Sequence, residues 1–389
     1  MLRGRLLINS TSTTPLLEQC LQAANDVTEE VIRFTVDLTA IPAPTFHEGE
    51  RASFYARHLQ TLPLSNVAID DLNNVTARIP GRDRTGCVVL AGHIDTVFPS
   101  GTPLVVERKG LRLYGPGIGD NCLGAAAVAY VPKIMERLGV VPATDVVITG
   151  NVGEEGLGDL RGIRAVCDRV HGIRGVIAVE GHNLGRVTHI AVGSRRIRVR
   201  VTGPGGHSWG DFGRPNAIHH AAEIISDLAR IPTPPSPKTT LSVGTISGGI
   251  SVNTIPPEVT FLIDIRSIDP NQLAKTLDRV ERVLRSSRPG VQVNWEIIGD
   301  RPAGAVPFED PIVRHALEII RELGINPIPD ASSTDANIPI SRGIPAVCIG
   351  LTTGGNAHRV DEYIDLAPIT HGLAQLTALT ILSANEFAQ

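Results

Sequence analysis

Short apolar runs alternate with helical patterns along much of the chain. Four of these runs are rich in β-branched residues, and they occupy residues 88–91, 146–149, 176–179 and 346–349. Strands that are buried on both faces of a parallel sheet read as continuous apolar runs, whereas half-buried strands alternate. The pattern therefore predicts an α/β fold with a mostly parallel sheet.

The pattern changes between about residues 195 and 300. Three arginines alternate with three β-branched residues over 196–201, which predicts a strand with one solvated face. The segments that follow predict a helix, two strands, a helix and a strand, at 217–228, 241–246, 259–265, 273–284 and 291–297. This β-α-β-β-α-β order is the ferredoxin-like signature.

Proline-rich IPTPPSPK interrupts this second region and RPAGAVP closes it, as linkers do. A helix pattern at 312–323 then resumes the first region. A chain of 389 residues is also long for a single core. We therefore expect a first domain of residues 1–194 and 305–389, with an inserted ferredoxin-like α+β domain of residues 195–304.

Charge and cysteine content limit the partners and the compartment. Lys and Arg number 36 against 40 Asp and Glu, which gives no basic surplus for nucleic acid or an anionic membrane, so small-molecule partners are favoured. The five cysteines are odd in number and show no CxxC spacing, so a reducing cytoplasm is expected. The sequence also shows neither a secretory h-region nor an apolar stretch of membrane-spanning length.

Metal-competent side chains follow the predicted strands, where each strand ends. They are His93 and Asp95 in AGHIDTVFP, Glu154 and Glu155 in GNVGEEGLGD, Glu180 in VIAVEGH and His358 in GGNAHRVDE. Ligands of open α/β sheets bind beyond the carboxyl ends of the strands, so these groups are expected to meet in one crevice. Asp120 precedes an Ala-rich helix pattern, where its charge is favourable and would face the same crevice.

These donors suit a pair of zinc ions, with cobalt or manganese as alternatives. Imidazole and carboxylate are ligands that Zn²⁺ accepts, and two-metal sites need a bridging carboxylate, for which Asp120 is the candidate. Three ligating carboxylates leave two divalent ions with one net positive charge, enough to hold a bridging hydroxide as the nucleophile. Singly, each residue has a plainer interpretation, such as a helix cap for Asp120. Their joint occurrence favours the metal site.

The adjacent acids Glu154 and Glu155 need separate roles. Neighbouring residues in an extended segment point in opposite directions, so we assign Glu155 to the metal and Glu154 to the general base. Asp95 lies two residues after His93 and could accept the other imidazole N–H. The chain has no complete G-x-G-x-x-G and no G-x-S-x-G, so dinucleotide binding and serine hydrolysis are unsupported.

The motifs HIDTV, GDNCLG, GEEG, VEG and AHRVDE, in this order, resemble those of a di-zinc metallohydrolase family over roughly residues 30 to 380. The family contains glutamate carboxypeptidase, tripeptidase T, acetylornithine deacetylase and aminoacylase. The resemblance implies a catalytic first domain, and an inserted lid domain that forms a homodimer. It also implies that His93 and Glu180 bind one metal, that Glu155 and His358 bind the other, and that Asp120 bridges.

The same resemblance implies the remaining roles. Glu154 is the base, and His207 in TGPGGHSW polarises the substrate carbonyl, often across the dimer interface. Asn253 in SVNTIP and Arg266 in DIRS fall at substrate-carboxylate and oxyanion positions. The chain departs from many relatives at Cys122, where they carry Lys. It departs again at Glu180, where many deacylases and tripeptidases carry Asp.

The expected activity is hydrolysis of an amide bond in a short peptide, because NVGEEGLGDLRG and SSTDAN most resemble tripeptidase-T-type peptidases. The alternative is an N-acyl-amino-acid deacylase of the acetylornithine or succinyl-diaminopimelate type. A third hypothesis is a binding protein that keeps the metals and has lost turnover, against which the presence of Glu154 argues.

Overall fold

The structure is a computed structural model that describes residues 13–286 and 288–387. It divides into two compact units, one comprising the described residues up to Ile190 and from Ala305 onward, the other the described residues of Ala191–Gly304. The described helices are α1 (Thr13–Asn25), α2 (Thr28–Thr39), α3 (Gly49–Leu59), α4 (Leu123–Leu138), α5 (Arg161–Arg169), α6 (Ala217–Ala229), α7 (Pro270–Arg285), α8 (Pro311–Glu322), α9 (Asn337–Ser341) and α10 (Ile369–Glu386).

The first unit is organised around a nine-stranded sheet. Its strands are β1 (Ser65–Ile69), β2 (Val75–Ile79), β3 (Asp83–His93), β6 (Thr144–Asn151), β7 (Ile173–Glu180), β8 (Arg186–Ala191), β15 (Gly304–Ala305), β16 (Ile328–Ser332) and β17 (Ala346–Gly350). The order is β1-β2-β6-β3-β7-β17-β8-β15, with β16 also beside β8. The four central strands, β6-β3-β7-β17, run parallel. The predicted mostly parallel sheet is confirmed.

The central strands are apolar because both faces of the sheet are covered. All eight residues of β6 and the last eight of β3 are buried. Helices α4 and α10 pack against β3 and β6. Burial at about 25 cal/mol per Å² of apolar surface makes this sheet the main stabilising core of the unit. A rigid sheet of this kind holds its strand ends in fixed positions.

A smaller antiparallel sheet in the same unit has the order β18-β19-β5-β4. Its strands are β4 (Glu107–Lys109), β5 (Arg112–Tyr114), β18 (Gly354–Gly355) and β19 (Tyr363–Asp365). Tyr363 pairs with Tyr114 in the β19–β5 ladder. This ladder joins the chain before Asp120 to the chain after His358, two segments that are remote in sequence.

The second unit has the predicted ferredoxin-like order of elements. Its strands are β9 (Gly193–Thr202), β10 (Gly206–His207), β11 (Thr239–Gly248), β12 (Thr254–Ile255), β13 (Glu258–Ser267) and β14 (Gln292–Arg301). The four long strands form an antiparallel sheet, β11-β13-β9-β14, and β10 pairs with β12. Alternate residues of β9 and β13 form one buried core with α6 and α7. On the other face, Arg198 pairs with Glu296 and Arg200 with Glu258, which explains the alternation of arginines in β9.

Two further features bear on the sequence expectations. All five cysteines lie in the described part of the chain, and none of them forms a disulfide. Among the helices that the structure describes, none combines the length and the apolar character needed to cross a bilayer.

Candidate metal centre

Three adjacent parallel strands bring four of the predicted donors to one edge of the sheet. His93 is the last residue of β3, and Glu180 is the last residue of β7. Glu154 and Glu155 follow β6, which ends at Asn151. Because β6, β3 and β7 are neighbours in the sheet, their carboxyl ends meet at the same place.

Asp120 and His358 reach the same place from irregular segments. Asp120 lies in the turn between β5 and α4, where its φ of −114° and ψ of 84° are not helical, and its peptide bond to Asn121 is cis. His358 lies between β18 and β19 with a φ of 64°, in the left-handed region that few side chains adopt. The β5–β19 ladder ties these two segments together.

The donor atoms form two groups that share Asp120. Asp120 Oδ1 lies 3.3 Å from His93 Nε2, and Glu180 Oε1 lies 3.8 Å from the same nitrogen. Asp120 Oδ2 lies 3.0 Å from His358 Nε2, which is 3.3 Å from Glu155 Oε1. Two ligands about 2.0–2.1 Å from one tetrahedral zinc ion are roughly 3.3 Å apart. The spacing therefore suits two ions with Asp120 between them.

Unsatisfied buried atoms indicate that this cluster is built for cations. His93 Nε2 and Glu155 Oε1 are buried, and neither makes a hydrogen bond to any residue in 13–286 or 288–387. Buried polar atoms are normally paired, so two such atoms in one cluster call for a ligand that accepts their lone pairs. A divalent ion in each group would do so. The residues fit the metal pair expected from the sequence.

The pKa shifts of the histidines and acids in the cluster also favour bound cations. Burial acts against charge on the His93 imidazole, but the carboxylates of Asp120, Asp95 and Glu180 outweigh it and raise the pKa of His93 well above its usual value. Contacts with Asp120 and Glu155 raise the pKa of His358 to about 10. Burial raises the pKa of Glu180 to about 7. The carboxylates therefore stabilise positive charge at this place. Two divalent ions would supply that charge in place of protons.

Glu154 lies beside this cluster, and Asp95 lies beneath it. Donor atoms of His93, Glu154 and Glu155 all lie within 4.8 Å of one another. The fully buried Asp95 carboxylate accepts the backbone N–H groups of Glu154 and Glu155, both at 3.0 Å. Its Oδ1 is 3.5 Å from His93 Nδ1, which lies closer, at 3.3 Å, to the backbone carbonyl of Asp95. Asp95 therefore also positions the segment that carries both glutamates.

Sequence reasoning missed three polar residues around the cluster. Thr45 donates to the Asp95 carboxylate, and the Asn121 side chain joins Val179 O to Gly181 N beside Glu180. Glu362 accepts N–H groups from the Asp120 turn. The only sequence signal for Glu362 is its place in AHRVDE. The contacts themselves join segments far apart in the chain, so no local pattern marks them.

The second unit carries the other three predicted site residues. His207 and Asn253 are neighbours, because His207 pairs with Thr254 and Ser208 N donates to Asn253 O. Arg266 lies elsewhere in the unit, on β13, and its guanidinium contacts Asp264 at 2.7 Å. It is eight residues from Glu258, where β13 begins, or about 26 Å at about 3.3 Å per residue.

The hydrogen bonds of His207 define its tautomer. The imidazole is exposed, and its Nδ1 accepts the backbone N–H groups of Trp209 and Gly210, both at 3.2 Å. An Nδ1 that accepts cannot carry a proton, so the proton is on Nε2. His207 therefore presents an N–H donor outward from its loop.

Four further histidines and Cys122 are not among the donors of either group. His189 Nδ1 lies 2.7 Å from the carbonyl of Val306, and His220 lies 3.3 Å from Glu223. His219 is exposed on α6, and Cys122 is buried. His182 differs from the others, because its imidazole contacts the Glu362 carboxylate close to the cluster.

Replacing His358 by alanine should lower the metal content from two ions per chain to about one. The donor group that includes His358 would keep only Asp120 and Glu155. The other group would keep its three donors, with His93 and Glu180 beside Asp120. Elemental analysis of protein equilibrated with zinc measures this. The matched control is His371→Ala, which removes an exposed histidine from α10 and should leave two ions. Two ions retained in the His358 variant would contradict its place in the site.

Comparison with known proteins identifies the family of this chain. The peptidase family M20/M25/M40 matches residues 89–381. A protein of Mycobacterium tuberculosis, named as a succinyl-diaminopimelate desuccinylase, is 27% identical over 359 residues, covering 89% of this chain and 96% of the relative.

Solved structures share the fold. A tripeptidase from Staphylococcus aureus has a TM-score of 0.77 at 21% identity, covering 92% of this chain and 98% of that chain. A dinuclear metal-binding peptidase from Bacillus subtilis has a TM-score of 0.68 at 16% identity, with coverages of 92% and 98%. The family resemblance predicted from the motifs is confirmed. Since the family match spans more than half of its length, this chain belongs to the peptidase family M20/M25/M40 and is a hydrolase of that metallopeptidase and amidohydrolase family.

Proposed function

We propose that this chain hydrolyses an amide bond in a short peptide, with two divalent ions, zinc foremost, and Glu154 as general base. The observation that carries the proposal is the pair of donor groups that share Asp120, with Glu154 beside them. His93, Asp120 and Glu180 would hold one ion, and Asp120, Glu155 and His358 the other. Such ions polarise a carbonyl and lower the pKa of water.

Glu154 is placed to move the proton. It is 7% exposed and lies within reach of the donors His93 and Glu155. In the proposed reaction the Glu154 carboxylate takes a proton from the attacking water, whose oxygen bonds to the carbonyl carbon. The C–N bond then breaks, and Glu154 returns the proton to the leaving nitrogen. Asp95 keeps Glu154 in place through the two backbone N–H groups that it accepts.

His207 is the proposed donor to the carbonyl oxygen. Charge develops on this oxygen as water adds, and a fixed N–H donor stabilises it. The Nε2–H of His207 is held ready because Nδ1 is occupied by two backbone groups. We assign the neighbouring Asn253, together with Arg266, to the oxyanion and the substrate carboxylate.

Replacing Glu154 by glutamine should abolish most turnover and leave both ions bound. An amide cannot accept the proton, and loss of a general base costs about 10²- to 10⁴-fold. The measurement is kcat on a panel of free di- and tripeptides, together with the metal content of each protein. Glu136→Gln, at an exposed position of α4, should keep wild-type activity. Unchanged kcat in the Glu154 variant would exclude it as the base.

The second candidate is removal of an N-acyl group from an amino acid. It is favoured by the 27% identical relative named as a desuccinylase, whereas the tripeptidase likeness, at 21% identity, shows the fold alone. Parallel panels of N-acetyl and N-succinyl amino acids separate the two candidates. Cleavage confined to the acyl panel would replace the peptidase proposal. A metal-loaded protein that cleaves neither panel would favour a binding protein.

Replacing His207 by alanine should lower kcat and leave the metal content unchanged. The lost N–H donor acts on the developing oxyanion, where removal of one donor costs about 10²- to 10³-fold. His207→Gln keeps a side-chain N–H and should recover part of the rate. Steady-state kinetics on the cleaved substrate tests both variants. Equal kcat for wild type and His207→Ala would reject the role.

We further propose that the second unit forms a homodimer through strand β11. This strand is at one edge of the four-stranded sheet, contains no charged residue, and is exposed over its last five residues. Natural edge strands normally carry charges that prevent pairing, and β14 at the other edge contains Glu296, Asp300 and Arg301. An uncharged edge strand suits pairing with a second copy of the chain, since the two β11 strands can pair antiparallel.

A charge on β11 should therefore dissociate the dimer. Ile246 is 55% exposed on β11, and Ile246→Lys should shift the mass measured by sedimentation from twice 41.4 kDa toward 41.4 kDa. The matched control is Ile297→Lys on β14, at a position that is 46% exposed, which should remain dimeric. A wild-type protein that sediments as a monomer at micromolar concentration would end this proposal.

A further inference from the structure

Glu362 is a buried acid that the proposed reaction does not use. Its side chain is completely buried, and its two oxygens accept three backbone N–H groups. Oε2 accepts from Gly117 at 2.9 Å, and Oε1 accepts from Gly119 and Asp120, both at 2.8 Å. All three donors belong to the turn between β5 and α4. The carboxylate therefore holds the backbone of Asp120 directly.

His182 completes the surroundings of this carboxylate. Its Nε2 lies 2.9 Å from Glu362 Oε1. Since that oxygen already accepts two N–H groups, His182 acts as the donor, which places its proton on Nε2. The ring is packed against two glycines, because a Cβ at either Gly119 or Gly354 would overlap the imidazole.

The two residues link the Asp120 turn, the end of β7 and the His358 segment. Gly119 precedes Asp120, His182 follows Glu180 by two residues, and Gly354 and Glu362 lie on either side of His358. Strands β3 and β7 fix His93 and Glu180 through the rigid sheet. By contrast, the Asp120 turn and the His358 segment belong to no long element. Their placement depends on contacts such as these.

We propose that Glu362 and His182 act together as positioning residues that set the direction of the Asp120 carboxylate between the two ions. The inference rests on the proposed metal pair. Asp120 can bridge only if Oδ1 faces His93 and Oδ2 faces His358, and this requires a fixed backbone at residue 120. Residues that orient ligands in this way typically change metal affinity by about 10- to 100-fold.

The test replaces Glu362 by glutamine, which has nearly the same shape. One oxygen becomes an NH₂ group that faces N–H donors and cannot accept them. We expect affinity for the more weakly bound ion to fall by about 10-fold or more in chelator competition. We also expect the visible absorption spectrum of the cobalt-loaded protein to change, because the geometry of the bridge changes. Both are read without substrate.

Asp145→Asn is the matched control for lost stability. Asp145 is also a buried carboxylate, which accepts the N–H of Gly81 and pairs with Arg78. It lies near the start of β6, whereas the metal donors follow the end of that strand. We expect this variant to lower the melting temperature and to leave chelator competition and the cobalt spectrum as in wild type.

A second pair of variants tests the role of His182. His182→Gln can still donate from a similar position, whereas His182→Met cannot. We expect the glutamine variant to retain more metal affinity than the methionine variant. We also expect the effects of His182→Met and Glu362→Gln to be less than additive in the double variant, because both act on one carboxylate.

The outcomes separate this inference from the function on which it rests. A wild-type protein that binds no pair of ions overturns the proposed function and the inference together. If wild type binds two ions and Glu362→Gln has the same affinity and spectrum, only the inference fails. Equal loss of metal affinity in Glu362→Gln and Asp145→Asn would also overturn it, since general destabilisation would then account for both.

Discussion

Repulsion between carboxylates is the constraint on which the arrangement of this chain depends. Asp120, Glu155 and Glu180 lie in donor groups whose atoms are within 4.8 Å of one another. Two like charges at that distance repel by roughly 3 kcal/mol at an effective dielectric constant of about 20. Nearby positive charge, from protons or from bound cations, is needed to offset this repulsion. A stable sheet beneath the cluster is also needed, because the strand ends must resist the repulsion.

The acids in and around the cluster divide into two kinds by what their oxygens contact. Glu155, Glu180 and Asp120 face histidines and one another. Asp95 and Glu362 each lie near one histidine as well, but they also accept backbone N–H groups, two for Asp95 and three for Glu362. Acids of this second kind are satisfied by the fold itself and need no ion. Asp95 holds the segment that carries Glu155, and Glu362 holds the turn that carries Asp120. The charge of the centre and the rigidity of these segments therefore come from different residues.

The sequence predicted the sheet because β3, β6, β7 and β17 are continuous apolar runs, whose period and length have a local signature. It predicted the ferredoxin-like unit from the alternating residues of β9 and from the order of the elements that follow. The structure brings His93, Glu154, Glu155 and Glu180 together, which was expected because donors at adjacent strand ends must meet. The acceptor role of Glu362 could not be predicted, since its N–H partners are more than 240 residues away in the chain. Likewise, no pattern shows that the Asp95 carboxylate is engaged by Glu154 and Glu155.

The same division separates the proposed mechanism from the choice of substrate. The proposed donor set is fixed by charge, by strand ends and by the segments of Asp120 and His358, and it would serve any amide whose carbonyl reaches it. In the function proposed above, substrate identity would depend on groups other than the metal donors, namely Arg266, His207 and Asn253. Within the second unit, Arg266 lies on β13, whereas His207 and Asn253 lie on or beside the β10–β12 pair. Selectivity between a peptide and an N-acyl amino acid can therefore change without any change in the metal donors.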